Sequence, residues 1–209
     1  MSQATTLREL KADNYKVLPV REEMRLNLIR KLQTKETLFP GIIGYQDTVV
    51  PQIVNAVLSG QDIIMLGERG QAKSRIIRSL TCLLDDKTPI LADADIPENP
   101  FAPISSQGQK VIEDQGDDAV IKWLTPEMRY GEKLATPDIT IADLIGEIDP
   151  IKIAEGRYLS DEEALHFGLI PLTNRGIFAI NELPDLSERI QVGLLNVMEE
   201  RDIQIRGHK

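Results

Sequence analysis

Residues 63–74 read Ile-Ile-Met-Leu-Gly-Glu-Arg-Gly-Gln-Ala-Lys-Ser, and this stretch decides the fold class. Its apolar beginning predicts a short core strand at about 62–66. A glycine-rich turn follows, and then a helical pattern that we expect to cover about 73–84. A strand, a glycine-rich turn and a helix in this order are typical of a loop that binds phosphate through backbone N–H groups.

The residue types in this loop suggest specific roles. Lys73 would reach the β- and γ-phosphates of a nucleotide, and the Ser74 hydroxyl would bind Mg²⁺. The phosphate-binding motif has Gly immediately before this Lys, whereas the chain has Ala72. The candidate nucleotide-binding residues of the loop are Gly67, Glu68, Arg69, Gly70, Gln71, Ala72, Lys73 and Ser74.

A second apolar run, residues 177–180, predicts a strand buried on both faces. Asn181 and Glu182 follow it, and ligands bind at the carboxyl ends of parallel strands. We expect Glu182 to orient or deprotonate an attacking water and Asn181 to support Mg²⁺. Because Asn181 brings no negative charge, this support should be weak. The alternative is a strand end that happens to be polar.

Composition and charge limit the class of protein. The 209 residues are enough for one sizeable domain, or for one domain plus a small appendage. The contents of 42% hydrophobic and 27% charged residues are typical of an ordinary soluble globular protein. The net charge of −9 argues against a non-specific nucleic-acid binder, which needs a basic face. Cys82 is expected in the core, and His166 and His208 are expected in surface or packing positions rather than in a zinc site. With no signal-peptide pattern and no apolar run of about 20 residues, we expect a cytoplasmic protein without membrane insertion.

Hydrophobic periodicity predicts the remaining elements. Strands that alternate with helices favour a parallel sheet flanked by helices. The predicted helix at 19–34 packs either on the main domain or on a neighbouring subunit. We divide the chain into an N-terminal arm and helix, 1–35, and an α/β domain, 36–209. The predicted segments are a loose arm at 1–16, helices at 19–34, 46–58, 161–166 and 187–199, an irregular region at 88–132, and strands near 133–140 and 203–206.

Two features of the irregular region have competing interpretations. Trp123 and Tyr130 could stack on a base, although local packing is the ordinary role of such residues. The acidic segment 113–118 could hold a cation, but its ligand spacing fits no EF-hand, which favours a solvated turn.

Taken together, the motifs resemble those of the AAA+ ATPases, in the branch of the magnesium-chelatase ATPase subunit and the MoxR proteins. The resemblance covers roughly residues 36–209. It rests on the phosphate loop with Ala before Lys and on the strand that ends at Asn181 and Glu182. The other matching segments are 39–46, 99–103, 143–156, 168–176, 194–201 and 203–207.

The resemblance implies a fold and an activity. The fold would be a P-loop AAA+ core, in which Ile42 and Ile43 flank the adenine. The chain would bind ATP and Mg²⁺ and hydrolyse ATP within a homo-oligomeric ring, a hexamer in this family. It would thereby remodel a protein partner, often one with a von Willebrand A-type domain. The client itself is not implied, because the fold does not fix it.

Two departures from the family pattern affect these expectations. Asn181 stands where the family has Asp, which suggests an alternative function as a nucleotide-dependent scaffold with little hydrolysis. The sensor strand, the arginine finger and the helical lid of the family would follow Lys209. We therefore expect an N-terminal portion of a longer protein, with poor ATPase activity in isolation. A sigma-54-type transcription activator is a further alternative, although the sequence lacks the Gly-Ala-Phe-Thr-Gly-Ala loop of that class.

Overall fold

The computed structural model describes residues 3–156, 158 and 162–205. Its helices are α1 Leu7–Ala12, α2 Val20–Gln33, α3 Val49–Leu58, α4 Lys73–Ser79, α5 Ser106–Gln115, α6 Ile141–Leu144, α7 Pro150–Ala154, α8 Leu169–Leu172 and α9 Glu188–Glu200. Its strands are β1 Thr88–Leu91, β2 Ile121–Leu124, β3 Tyr130–Leu134, β4 Gly146–Ile148, β5 Leu165–Phe167 and β6 Ile177–Asn181. Within these residues no helix is long and apolar enough to cross a membrane.

The strands β3 and β6 pair in parallel, and the candidate residue Asn181 lies at the carboxyl end of β6. Glu132 lies opposite Ala179 and Leu134 lies opposite Asn181 in this pair. The other paired strands, β1 with β2 and β4 with β5, are antiparallel. The prediction of an α/β fold with a parallel sheet is thus confirmed at a coarse level, with two parallel strands in the described chain.

The largest apolar cluster lies between α2, α3 and α4 and the loop at residues 38–45. It contains Leu28 of α2, Ile53 and Val57 of α3, and Ile76 of α4. The predicted helices at 19–34 and 46–58 are therefore confirmed. In the described chain, α2 packs against α3 and α4 of the main domain. The helix after the loop is shorter than predicted, because a 3₁₀ turn at Leu80–Leu83 replaces its second half.

The predicted strand at 62–66 is not formed. Ile63 and Met65 pack against the apolar cluster, whereas the intervening Ile64 and Leu66 are 62% and 90% exposed. This alternation is typical of an extended segment with one buried face. The prediction failed because an apolar run indicates extended backbone but does not show whether a neighbouring strand pairs with it or whether both faces are covered.

The prediction of a loose arm at 1–16 is also wrong. Thr6 caps α1 by accepting from the backbone N–H of Glu9, and Leu7 and Leu10 are buried. They pack with Leu91 and neighbouring residues of a second apolar cluster. The arm is ordered because its two leucines, one helical turn apart, face this cluster.

The region from 88 to 132 is more regular than predicted, because β1, α5, β2 and the start of β3 lie within it. The strand expected near 133–140 lies at 130–134 instead. The Trp123 indole donates to Ala4 O at 2.7 Å, and its ring meets that of Tyr15 edge to face. Local packing is thus confirmed for Trp123. In the acidic segment, Asp117 and Asp118 form ion pairs with Lys11 and Arg8.

Later predictions have mixed outcomes. The strand at 177–180 and the helix at 187–199 are confirmed as β6 and α9, although only Ala179 of β6 is fully buried. The helix expected at 161–166 is a 3₁₀ turn at Glu162–Ala164 followed by β5, and residue 161 lies outside the described residues. Ile205 forms a single bridge in place of the strand at 203–206, whose last residue is not described.

The remaining single-residue predictions concern Cys82 and the two histidines. Cys82 is partly rather than fully buried, and burial raises the pKa of its thiol. His166 is exposed on β5, as expected for a surface residue. His208 lies outside the described residues.

A buried ion pair links α2 to the strands. The guanidinium of Arg129 donates to both carboxylate oxygens of Glu23, at 2.6 and 2.7 Å. It also donates to Thr88 Oγ1 and to Arg175 O, and the Asp85 N–H donates to Glu23. The two charged side chains are 0% and 4% exposed. This network fixes α2 against β1 and the segment before β6, and nothing in the sequence pattern predicted it.

Candidate functional site

The loop between residues 67 and 72 has a backbone with three left-handed positions. Gly67 has φ 156°, Gly70 has φ 83° and Ala72 has φ 57°. Ala72 immediately precedes the first residue of α4. A left-handed alanine costs about 1–2 kcal/mol relative to a right-handed one, which explains why the general motif has glycine here. The loop keeps this conformation although Ala72 carries a Cβ.

The backbone N–H groups of the loop are unpaired. From Gly67 to Arg75, none of them donates a hydrogen bond to another group of the described chain. The next N–H along the chain, that of Ile76, donates to Ala72 O at 2.9 Å. A curved run of outward N–H groups forms a concave site for anions, and phosphate oxygens are suitable acceptors for them.

Two side chains hold the loop in shape. The Lys73 ammonium donates to Gly67 O and to Glu68 O, both at 2.7 Å. The Tyr45 hydroxyl donates to Gln71 O at 3.1 Å. Lys73 therefore lies against the start of the loop and keeps a third donor position for a ligand. Glu68, Arg69, Gly70 and Gln71 are all exposed.

The structure brings the loop to the end of the second predicted strand. The Ser74 hydroxyl donates to Asn181 Oδ1 at 3.2 Å, although 107 residues separate the two in sequence. Ser74 lies in the first turn of α4, and Asn181 is the last residue of β6. The two motifs that the sequence suggested thus lie side by side.

Glu182 extends from the same corner. Its backbone is left-handed, with φ 57° and ψ 45°, and precedes the 3₁₀ turn Leu183–Asp185. Its side chain is exposed and makes no hydrogen bond or ion pair with any described residue. An exposed carboxylate in this position is accessible to water.

The oxygen atoms at this corner suit Mg²⁺. This ion binds oxygen ligands and commonly takes only one or two from the protein, with waters and substrate phosphates supplying the rest. Ser74 and Asn181 supply two oxygens within 3.2 Å of each other. The described residues contain no cluster of three or more acidic, histidine or cysteine side chains that would hold a metal alone. Two protein oxygens therefore fit a Mg²⁺ ion that is also bound by phosphate oxygens of a ligand.

A cavity of about 300 Å³ adjoins the loop. Its lining includes Tyr45, Ile53, Ile63, Gln71 and Lys73, so it has an apolar floor and polar groups beside the loop. The two residues expected beside a base lie elsewhere: Ile42 is buried in the apolar cluster, and Ile43 is 83% exposed. Their role stays a prediction.

Three residues behind Asn181 were not identified from the sequence. Asn181 Nδ2 donates to Glu132 Oε1, while Arg78 Nε and the Tyr130 hydroxyl donate to Glu132 Oε2 at 2.6 and 3.1 Å. The Arg78 hydrogen bond is the main cause that lowers the pKa of Glu132. Burial and the Glu132 charge raise the pKa of Tyr130 to about 12. The pattern Tyr130-x-Glu132 places both on one face of a strand, but only the register with β6 shows that Asn181 is adjacent.

The sequence was also compared with known proteins. A scan against protein-family models finds no match, and a search of curated proteins finds no similar sequence.

Proposed function

We propose that this chain is the nucleotide-binding domain of a P-loop ATPase that binds ATP together with Mg²⁺. The observation that supports this most is the pairing of Ser74 with Asn181, which joins a loop of unpaired N–H groups to the carboxyl end of a parallel strand. An anion site, an ammonium, a hydroxyl and a carboxylate converge there. This is the set of groups that binding a nucleoside triphosphate requires.

Each residue has a role that follows from its position. The loop N–H groups and the Lys73 ammonium bind the β- and γ-phosphate oxygens. Lys73 gives up its hydrogen bond to Gly67 O to donate to a phosphate oxygen. Ser74 and Asn181 donate oxygens to the metal, which neutralises charge on the phosphates when bound. Glu182 accepts a proton from the attacking water. We expect the adenine to occupy the cavity that Tyr45 lines.

The larger assignment rests on the sequence resemblance. Under it, the domain is an AAA+ motor of the chelatase or MoxR type, works in the cytoplasm as a hexameric ring and remodels a protein partner. Side chains supplied by a neighbouring subunit would contribute to turnover, because arginines supplied in this way can accelerate phosphoryl transfer by about 10³–10⁵-fold.

A nucleotide-dependent scaffold is the second candidate, and the neutral side chain of Asn181 favours it. An amide oxygen binds a divalent cation less strongly than a carboxylate does. Under this alternative, the chain binds ATP and changes shape or assembly state without appreciable turnover. The Glu182 carboxylate, which pairs with no described residue, favours ATP hydrolysis instead.

Hydrolysis assays on matched variants separate the two candidates. We expect Glu182→Gln to abolish single-turnover ATP cleavage while leaving ATP affinity within a factor of about two, because a glutamine accepts no proton. Glu199→Gln, at an exposed position of α9, serves as the control and should retain turnover. Equal cleavage by all three proteins would overturn the assigned role of Glu182. Single-turnover cleavage by the wild type that Glu182→Gln abolishes would exclude the scaffold.

A further inference from the structure

Glu132 ends a chain of hydrogen bonds that begins at the phosphate loop. Ser74 donates to Asn181 Oδ1, and Asn181 donates through Nδ2 to Glu132. The sheet register explains this contact, because Glu132 lies opposite Ala179 and Asn181 follows two residues along on the same face. Glu132 forms no hydrogen bond with the described residues of the loop at 67–72, and its link to the Ser74 hydroxyl runs through Asn181.

The chemistry of these groups leaves the Asn181 amide one orientation. A carboxylate only accepts hydrogen bonds, so it must face the NH₂ group of the amide. The amide oxygen then points to Ser74, on the side where the metal is expected. With the amide turned over, its oxygen would face the Glu132 carboxylate. Asn181 Oδ1 would then lose the Ser74 hydroxyl as its donor, and Glu132 Oε1 would lose the amide NH₂ group.

Two further contacts hold Glu132 in place as an anion. Arg78 and Tyr130 both donate to Oε2, which leaves Oε1 for Asn181. The side chain of Arg78 is 64% exposed, whereas that of Glu132 is 16% exposed. Water therefore screens the positive charge of Arg78 more than the charge of Glu132. A charge-assisted bond to the amide NH₂ also polarises the amide, which increases the negative charge on Oδ1.

We propose that Glu132 is a positioning residue, which aims Asn181 Oδ1 at the metal site and supplies from the neighbouring strand the negative charge that Asn181 lacks. This inference rests on the proposed function, since the metal it concerns is the Mg²⁺ that accompanies ATP. Under this proposal, Asn181 supplies the oxygen and Glu132 the negative charge that a single aspartate at position 181 would supply. Outer groups of this kind typically change metal affinity by about 10–100-fold.

The test measures metal dependence rather than turnover. ATP affinity is determined by calorimetry, first in excess chelator and then across a Mg²⁺ titration. For Glu132→Gln we expect about a tenfold or greater loss in the gain of ATP affinity that Mg²⁺ produces. The metal-free affinity should stay within a factor of about two. A neutral amide at position 132 cannot accept from Asn181, Arg78 and Tyr130 at once, so the orientation of Asn181 is no longer fixed.

Glu147→Gln is the matched control, because it makes the same carboxylate-to-amide change at an exposed strand position on β4, away from Asn181. We expect it to keep the wild-type Mg²⁺ dependence. The exchange Asn181→Asp with Glu132→Gln should restore that dependence, because the new amide can donate to the new carboxylate. This rescue also answers the objection that Glu132→Gln merely perturbs folding.

The outcomes separate this inference from the proposed function. An unchanged Mg²⁺ dependence in Glu132→Gln, or an equal loss in Glu147→Gln, would overturn the role of Glu132 while ATP binding stands. Failure of the exchange to restore Mg²⁺ dependence would count against it as well. No ATP binding by the wild type, with or without Mg²⁺, would overturn the proposed function and this inference together.

Discussion

Ser74 and Asn181 are joined by a 3.2 Å hydrogen bond between the hydroxyl and Oδ1. Ser74 owes its position to the loop that precedes α4, and Asn181 owes its position to the pairing of β6 with β3. The contact therefore exists only when both elements are folded. This contact brings the two halves of the candidate site together.

Ala72→Gly should stabilise the protein. Ala72 has φ 57°, which glycine adopts without the Cβ penalty. Allowing for the extra entropy that glycine gains in the unfolded chain, we expect the free energy of unfolding to rise by about 0.5–1 kcal/mol. Urea denaturation measures the change.

Ala102→Gly is the matched control for this substitution. Ala102 is exposed in a loop and is not among the residues with positive φ. Glycine there should lower the stability or leave it unchanged. A loss of stability in both variants would show that Ala72 is not strained.

Removing one partner of the buried ion pair should be among the most damaging single changes. Glu23→Ala leaves the Arg129 guanidinium charged, 0% exposed and without its carboxylate. We expect a loss of about 3–5 kcal/mol in the free energy of unfolding. The exposed pair of Arg8 with Asp118 provides the comparison, and Arg8→Ala should cost about 1 kcal/mol or less. Similar losses in the two variants would contradict the burial of the Glu23 pair.

Leu66→Ala tests whether residues 62–66 lie outside the sheet. Leu66 is 90% exposed, so the loss of stability should stay within about 0.5 kcal/mol. Ile53→Ala, at a position only 3% exposed in the apolar cluster, should cost about 2–5 kcal/mol. A cost for Leu66→Ala in the range of Ile53→Ala would mean that the segment is covered on both faces, as the sequence alone suggested.

The acid sensitivity of the fold should depend in part on Glu132. The Arg78 hydrogen bond and the other donors lower the pKa of Glu132 in the folded state below 4.5. Its stabilisation is therefore fully present above pH 4.5 and is lost as the pH falls through the lowered pKa. Unfolding measured from pH 7 downward should show wild type and Glu132→Gln converging in stability below pH 4.5. A difference in stability that is constant across this range would contradict the lowered pKa.

The local elements of the fold were predictable where a periodic apolar pattern coincided with a single packed face. The helices α2, α3 and α9 were found in this way, whereas β6 was found from a continuous apolar run. The segment 62–66 was misread because its apolar residues alternate between a packed and an exposed face. Sequence periodicity does not reveal whether a neighbouring strand is present.

The candidate site was predictable in its residue types but not in its support. A glycine-rich turn with Lys73 and Ser74, and a strand that ends at Asn181, identify the chemistry without coordinates. Glu132 could not be found, because its contact with Asn181 depends on the register of β3 with β6. The pairing of Arg129 with Glu23 was hidden for the same reason, since 106 residues separate the two.

The most direct test of the central claim is calorimetric titration of the protein with ATP and Mg²⁺, comparing wild type with Lys73→Ala. The Lys73 hydrogen bonds are to carbonyls of its own loop rather than to another element, so the variant should stay folded. The account predicts saturable binding by the wild type and a loss of at least about 100-fold in Lys73→Ala, with an unchanged unfolding midpoint. Equal ATP affinity in the two proteins, or no binding by a folded wild type, would contradict it.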